Sequence, residues 1–501
     1  MRDFFENLVK GSLIYGLGSV VSLLVGFFLL PVYTRYLTPA DYGVLETLVV
    51  TTTIISIFLI FGMDNSLFRF SFDSKEEVHR KRVMATTCTF LFGLVFLVTP
   101  ILILWSGFLS NLLFHDHDHI VLLNIVFLTA GVLTVHKIPM SLFRINNEPI
   151  KYAIVSGLQV LVTASLCILF VVVLETGVLG VVTGTLIGVS SATLFAFWLV
   201  RDCLVFSFSF NLLRSMIRYS LPMIPAGLAL WILSASDRYF LLAYSTETEL
   251  GLYSIASKFA MVIALIIMAF RMAWPQSAFS VIEREDNKEL YARTLTYFVF
   301  TGCLIVLMLA LFGDNLLAFL TTEDFFGAAK AIPILGLGLV FSGCYTLLAI
   351  GMGVTKKVGM IIPVTAIPAA LNLFLNYLLI PPYGMMGAAW ATLISFALMA
   401  FLSWWASERV YHINYEWIRI GKVLSVMLVI LAITYFITFE HLYHAIPVKL
   451  GLISSYIVVL LLIKFFTMEE YDGVKRLLSD LYGKIRGRKS ILNRFATHSN
   501  G

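Results

Sequence analysis

The sequence predicts an all-α polytopic membrane protein of 14 transmembrane helices, arranged as two parallel six-helix lobes around a central cavity plus two extra C-terminal helices. Three observations predict this: an apolar composition, a basic charge that alternates from loop to loop, and an internal repeat of about 207 residues.

Of the 501 residues, 59% are hydrophobic and 13% charged, and the mean hydropathy is +0.91. A soluble domain carries roughly 25% charged residues, so the chain belongs with membrane proteins before any motif is read. The net charge of +5 is small for this length and gives no reason to expect a nucleic-acid partner. Cys88, Cys167, Cys203, Cys303 and Cys344 fall in apolar segments or in one loop expected to be cytoplasmic. No two share a metal-ligand spacing or an outer loop, so all five read as inert thiols, and neither a metal nor another cofactor is expected. The N-terminus lacks the short apolar region and small-residue site of a cleaved signal, so the first apolar run is expected to stay as a span.

A span needs about 20 apolar residues. The chain offers 11–34, 43–66, 83–105, 120–143, 152–174, 178–200, 216–242, 251–275, 292–313, 330–351, 358–380, 384–406, 420–440 and 446–466. With the N-terminus inside, and residues near a span's end counted with the nearer face, the inner side holds 28 of the 35 Lys and Arg residues. On that count the outer side holds four, Arg35, Arg238, Lys330 and Lys449, and Lys137, Lys258 and Arg271 lie deeper within spans. Cytoplasmic loops carry the excess of positive charge, so this places both termini in the cytoplasm of a multi-pass protein of the cell (inner) membrane. In the tail, Val474, Leu477, Leu478, Leu481, Tyr482 and Ile485 recur at helical spacing beside basic residues. They suit a helix lying on the anionic leaflet, or a solvated basic tail.

Gly177-x-x-Gly180-x-x-x-x-Thr185-Leu186-Ile187 recurs as Gly384-x-x-Gly387-x-x-x-x-Thr392-Leu393-Ile394, and Thr38-x-x-x-x-Gly43 recurs as Thr246-x-x-x-x-Gly251. The two offsets agree within one residue and pair helices 1–6 with helices 7–12 in parallel. The expected division is 1–205 (first lobe), 206–410 (second lobe), 411–466 (helices 13 and 14) and 467–501 (basic cytoplasmic tail). Two such lobes facing a cavity are the architecture of a transporter that alternates access.

The first span and its exit, Leu29-Leu30-Pro31-Val32-Tyr33-Thr34-Arg35-Tyr36-Leu37-Thr38-Pro39-Ala40-Asp41-Tyr42-Gly43, resemble the opening of Wzx-type polysaccharide flippases. Tyr219-Ser220-Leu221-Pro222-Met223-Ile224-Pro225 through Ser236-Asp237-Arg238-Tyr239, followed by Gly251-Leu252-Tyr253-Ser254, resembles their central signature, and Gly62 to Phe70 is similar as well. These flippases belong to the multidrug/oligosaccharidyl-lipid/polysaccharide exporter superfamily. The resemblance implies that an undecaprenyl-diphosphate-linked oligosaccharide, a repeat unit of O-antigen, capsule or exopolysaccharide, is moved from the cytoplasmic to the outer leaflet. It also implies membrane lipids, a polysaccharide polymerase and assembly proteins as partners. Physically, a sugar needs a solvated path, because each unpaired buried hydroxyl costs kcal/mol, whereas a polyprenyl tail can stay in lipid.

Intramembrane charges cost about 2.5–3.5 kcal/mol on insertion scales, so each needs a reason. Lys258, Arg271, Lys137, Arg35 and Arg238 are the candidate substrate-cavity residues, because cations would complement a diphosphate. Snorkelling to the interface is the plainer reading, in particular for Arg35 and Arg238. Lys258 lies about two turns into its span and has the longest reach. Asp64, Asp237 and Glu46 are the candidate gating or coupling residues. Because Arg271 and Asp64 fall at like depth in repeat-related helices, they are expected to pair when the cytoplasmic side closes. His115-Asp116-His117-Asp118-His119 could bind a metal weakly, but a solvated outer loop explains it without chemistry.

No Gly-x-x-x-x-Gly-Lys-Ser/Thr loop is present, so nucleotide hydrolysis by that device is excluded. A membrane-embedded glycosyltransferase or polymerase would want a large outer loop or paired outer carboxylates, which are lacking, so an enzyme is not expected. A cation-coupled multidrug exporter and a lipid-linked peptidoglycan precursor flippase are the transport alternatives.

Overall fold

The computed structural model describes residues 26–466 except 28, 74–75, 204–206, 222, 281, 356 and 437–441. The amphipathic tail and most of the first expected span therefore lie outside the described residues. Eighteen α-helices and no strands make up the described fold. They are α1 (Leu30–Tyr36), α2 (Pro39–Ile60), α3 (Met63–Phe70), α4 (Glu77–Leu104), α5 (Ser106–Phe114), α6 (Ile120–Ile145), α7 (Pro149–Ile168) and α8 (Gly177–Leu199). Then come α9 (Phe210–Ser220), α10 (Met223–Ala235), α11 (Asp237–Tyr244), α12 (Glu247–Ser280), α13 (Asn287–Leu320) and α14 (Ile332–Leu348). The chain continues with α15 (Ile350–Val354), α16 (Ile361–Glu408), α17 (Trp417–Phe436) and α18 (Leu442–Leu462).

Ten helices among the described residues are long and apolar enough to cross a membrane. One of them, α16, runs for 48 residues and covers two expected spans, 358–380 and 384–406. It doubles back at Gly384 (φ 53°, ψ −131°), a backbone conformation that favours a residue without Cβ. Its repeat partner Gly177 (φ 59°) opens α8 after the π-helical turn Leu169–Val173. The sequence repeat thus marks the same backbone break in both halves.

Two expected spans are broken. The span 43–66 ends at Ile60, where Phe61 and Gly62 both take left-handed φ, and Asp64 falls on the separate helix α3. The span 216–242 is divided among α9, α10 and α11, so Asp237 and Arg238 begin a short helix rather than close a long one. Helix α9 was not anticipated. It places Leu213 and Met216 in a core with Met63, Leu67, Val83 and Ile138 of the first half, although the sequence assigns residues from 206 onward to the second.

The cores show how the halves meet. At the end carrying residues 37–38 and 245–246, a single core crosses the halves, with Leu45 and Leu48 of α2 packed into the same cluster as Ile255 and Phe259 of α12. At the opposite end each half keeps its own core. Met63, Val83, Phe143 and Ala196 build one, and Leu233, Met352, Val364 and Phe396 build the other. The two bundles are thus joined at one end and separate at the other. That end carries the basic loops. Along α2 the residues Tyr42 to Leu48 are all buried, whereas Val49, Thr53 and Phe58 are exposed. Along α12, Tyr253 to Ala256 are buried and Met261 and Val262 exposed.

Candidate functional site

Local sequence sets the joined end. Thr38 caps α2 by accepting from the Asp41 amide at 3.2 Å, and Thr246 caps α12 by accepting from the Glu249 amide at 3.1 Å. Five residues after each threonine stands a glycine. A Cβ on Gly43 would collide with the Glu247 carbonyl, and a Cβ on Gly251 would collide with the Pro39 carbonyl. Side chains cannot fit at either point, so the two helices cross on their backbones. Thr322 adds a hydrogen bond to the Thr34 carbonyl at 3.1 Å. Glu249 reaches further: its carboxylate accepts from the Met385 amide at 2.8 Å and so caps the half-helix that follows Gly384.

Immediately inside this closure lie four of the eight residues singled out in the sequence. Glu46 of α2 and Lys258 of α12 form an ion pair at 2.8 Å that links the two halves, and the Lys258 ammonium also donates to the Tyr42 hydroxyl. Arg238 pairs with the adjacent Asp237 at 2.7 Å and lies 5.3 Å above the Tyr253 ring. The Tyr253 hydroxyl donates to Asp237, and the Thr392 hydroxyl lies 3.4 Å from the same carboxylate. Glu46 is within electrostatic reach of Arg238 as well, so the charges alternate along Lys258, Glu46, Arg238 and Asp237. Asp237 is 2% exposed and Glu46 8%, and ions so deeply placed persist only when paired and hydrogen-bonded. Tyr239 adds a second link between the halves, its hydroxyl 2.8 Å from that of Thr51.

The sequence did not single out Tyr42, Tyr253, Thr392, Thr51 or Tyr239. Tyr42 stands one turn before Glu46 and shares its helix face, and Thr392 sits inside the repeated motif, so both carried a readable signal. Beyond the network, Ser236 donates to the Asn372 side chain at 3.2 Å, and Asn376 donates to the same oxygen at 3.0 Å.

The other four candidates lie apart from the network. Arg35 is exposed at the end of α1. Arg271 is on α12, but its side chain is outside the described ones, so the expected pair with Asp64 cannot be assigned a geometry. Asp64 lines a cavity of about 250 Å³ at the separate end, together with Asn65, Arg69, Ser141, Arg144 and Tyr219. Lys137 is exposed on α6, in line with Ser141 and Arg144 at steps of four and three residues, which puts all three on one helix face. Neither Lys137 nor Arg144 has a carboxylate partner among the described residues. Arg69, by contrast, pairs with Asp73.

Among the described residues, those of the histidine cluster included, no group of three or more His, Cys, Asp or Glu side chains is placed to hold an ion. His119 instead stacks on Phe114 and pairs with Asp116 at 2.8 Å. Slight burial opposes the ionised Asp116, but hydrogen bonds from the His119 side chain and the Asp118 backbone outweigh it and hold the carboxyl below its usual range.

A helical membrane protein with one core joining its halves at one end and exposed cations at the other shares its architecture with membrane transporters. Comparison with solved structures agrees. The fold superposes on the "Lipid II flippase MurJ, inward closed conformation" with a TM-score of 0.72 at 14% identity, covering 89% of this chain and 98% of that one. An inward-facing multidrug resistance MATE family transporter of the MOP superfamily gives 0.66 at 15% identity, covering 77% and 94%. Residues 8–278 match the family described as "Polysaccharide biosynthesis protein", and the chain belongs to that family. A Haloferax volcanii protein named "Probable low-salt glycan biosynthesis flippase Agl15" is 23% identical over 220 residues, which are 42% of this chain and 46% of that protein. A Methanocaldococcus jannaschii protein named "Uncharacterized membrane protein MJ1068" is 30% identical over 122 residues, 23% of this chain and 24% of that protein. The chain thus matches less than half the length of these two relatives.

Proposed function

We propose that this chain flips an undecaprenyl-diphosphate-linked oligosaccharide from the cytoplasmic to the outer leaflet of the cell membrane by alternating access. The observation that carries the reading is the joining of the halves by one core at one end and their separate cores at the basic end, with Lys137, Ser141 and Arg144 in a row on one helix face there. Unpaired cations there meet a diphosphate as it enters, arginine by a bidentate contact and lysine as a point charge. The Glu46–Lys258 pair and the glycine contact hold the outer end shut until loading is complete. Support also comes from the family and from the relative named for glycan biosynthesis. The reading includes fourteen passes, both termini in the cytoplasm, lobes at 1–205 and 206–410, an appended pair of helices at 411–466 and a cytoplasmic tail. A polymerase and assembly proteins on the outer side would take up the product.

Deletion of the gene from its host tests this. The expected result is loss of one surface polysaccharide, with its lipid-linked precursor held in the cytoplasmic leaflet, and restoration by the wild-type chain. Arg144→Ala combined with Lys137→Ala should restore little while inserting normally. Lysis with accumulated peptidoglycan precursor would favour the reading suggested by the lipid II flippase fold. Drug sensitivity with normal polysaccharide would favour the multidrug exporter.

A further inference from the structure

A second cavity, of about 500 Å³, lies among helices that all follow residue 286. Its walls come from α13, α14, the second half of α16 and α17, and no residue of the first half lines it. The lining is apolar, and at one end Trp404 and Trp417 meet edge to face with ring centroids 5.3 Å apart. Gly421 borders it, and a Cβ built there has open space around it. Cavities of this size left empty forfeit the dispersion contacts of every lining atom, and in a bilayer the molecules at hand to supply them are lipids.

The charge beside the cavity narrows the occupant. On α16, Ala397, Phe401, Trp405 and Arg409 follow one another at four-residue steps, so they form a single ridge. Ala397 and Phe401 line the cavity, Trp405 and Arg409 are exposed, and the Arg409 guanidinium lies 3.6 Å from the centre of the Trp405 ring. The neighbouring carboxylates are committed elsewhere, Glu408 to His412 and Glu416 to Arg419 at 2.8 Å. Lys422 is engaged by the Ile463 carbonyl at 2.7 Å. Arg409 has no carboxylate among the described residues. An apolar slot with an unpaired cation at the end of one wall matches an anionic headgroup attached to a hydrocarbon chain.

We propose that this cavity holds one acyl chain of an anionic membrane phospholipid, with the lipid phosphate on Arg409. The occupant is a bilayer phospholipid and not the transported polyprenyl chain, because the space suits a single acyl chain and no residue of the first half lines it. Lipid tails gain no hydrophobic energy by leaving other tails, so selectivity rests on the headgroup. The bound lipid would wedge α17 against the second half.

Native mass spectrometry of the full-length protein tests it, after delipidation and addition of phosphatidylglycerol or phosphatidylcholine. Phosphatidylglycerol should be retained preferentially by the wild type. Arg409→Ala removes an exposed side chain and should lower its retention about fivefold, the worth of one cation at a membrane surface. Arg409→Lys should keep part of it. Gly421→Leu projects a side chain into the slot from a position where a Cβ meets no other atom, and should abolish retention of either lipid at this site. Equal retention of both lipids by the wild type, or unchanged phosphatidylglycerol retention in Gly421→Leu, would overturn the proposal. So would displacement of phosphatidylglycerol by an equimolar polyprenyl phosphate whose own retention Gly421→Leu abolishes, since the slot would then serve the transported lipid.

Discussion

Gly43 and Gly251 make the same contact twice: each lies against the carbonyl found one turn earlier on the other's helix, Glu247 for Gly43 and Pro39 for Gly251. A methyl group at either position forces two backbones apart at the closed end. Gly43→Ala and Gly251→Ala should each cut transport severalfold without loss of membrane insertion. A cysteine replacing the buried Thr47 should be inert to an impermeant thiol reagent in the wild type and react in both alanine variants. Unchanged protection in both would show that the glycines do not hold this end shut.

The Glu46–Lys258 pair crosses the halves, so it can exist only while they are together. Glu46→Gln should favour the outward-open form by about 1–3 kcal/mol, the usual size of a coupling between two states. Lys258→Ala should impair export more, because it leaves Glu46 buried without its ammonium. Exchanging the charges, Glu46→Lys with Lys258→Glu, should recover more export than either single change. A double exchange no better than the worse single variant removes the pair from the gate.

Asp237 is held by Arg238 and Tyr253 at the start of a short helix. Asp237→Asn strands the Arg238 charge, a loss of about 3–5 kcal/mol for a buried pair broken on one side. Its melting temperature in detergent should fall by several degrees, and adding Arg238→Met should return part of the loss. If the double variant melts lower than Asp237→Asn, the arginine is held by something other than this carboxylate.

Orientation can be read with exposed sites. Single cysteines at His117 and Glu323, both on the joined end, should label from outside sealed cells, and one at Glu285 should not. Outside labelling at Glu285 would reverse the orientation inferred from the basic loops.

Much of this fold was legible because membrane helices leave strong traces: long apolar runs, basic loops between them and a duplicated motif. In the structure the Thr-x-x-x-x-Gly repeat marks a cap and a close crossing, neither of which its spacing announced. The breaks were less visible. Nothing in the apolar run through Phe61 and Gly62 announced that α2 stops there, and the amphipathic α9 was too polar to register as a span yet too buried to be a loop. The stretch between the expected spans 83–105 and 120–143 reads as an outer loop, but α5 forms there and buries Ser110 completely. Of the candidate charges, Lys258, Glu46, Asp237 and Arg238 were found singly. That Lys258 belongs with Glu46 was hidden, since the two stand 212 positions apart and pairing depends on how the halves dock.

The alternating charges of Lys258, Glu46, Arg238 and Asp237 sum to zero. One elementary charge carried through 100 mV exchanges about 2.3 kcal/mol with the field, but a neutral group of four exchanges almost nothing when it moves as a unit. The transmembrane voltage therefore has little purchase on this part of the protein. On the proposed function, electrical work would fall on the cargo instead, and an anionic diphosphate leaving a negatively polarised interior would move downhill in electrical energy.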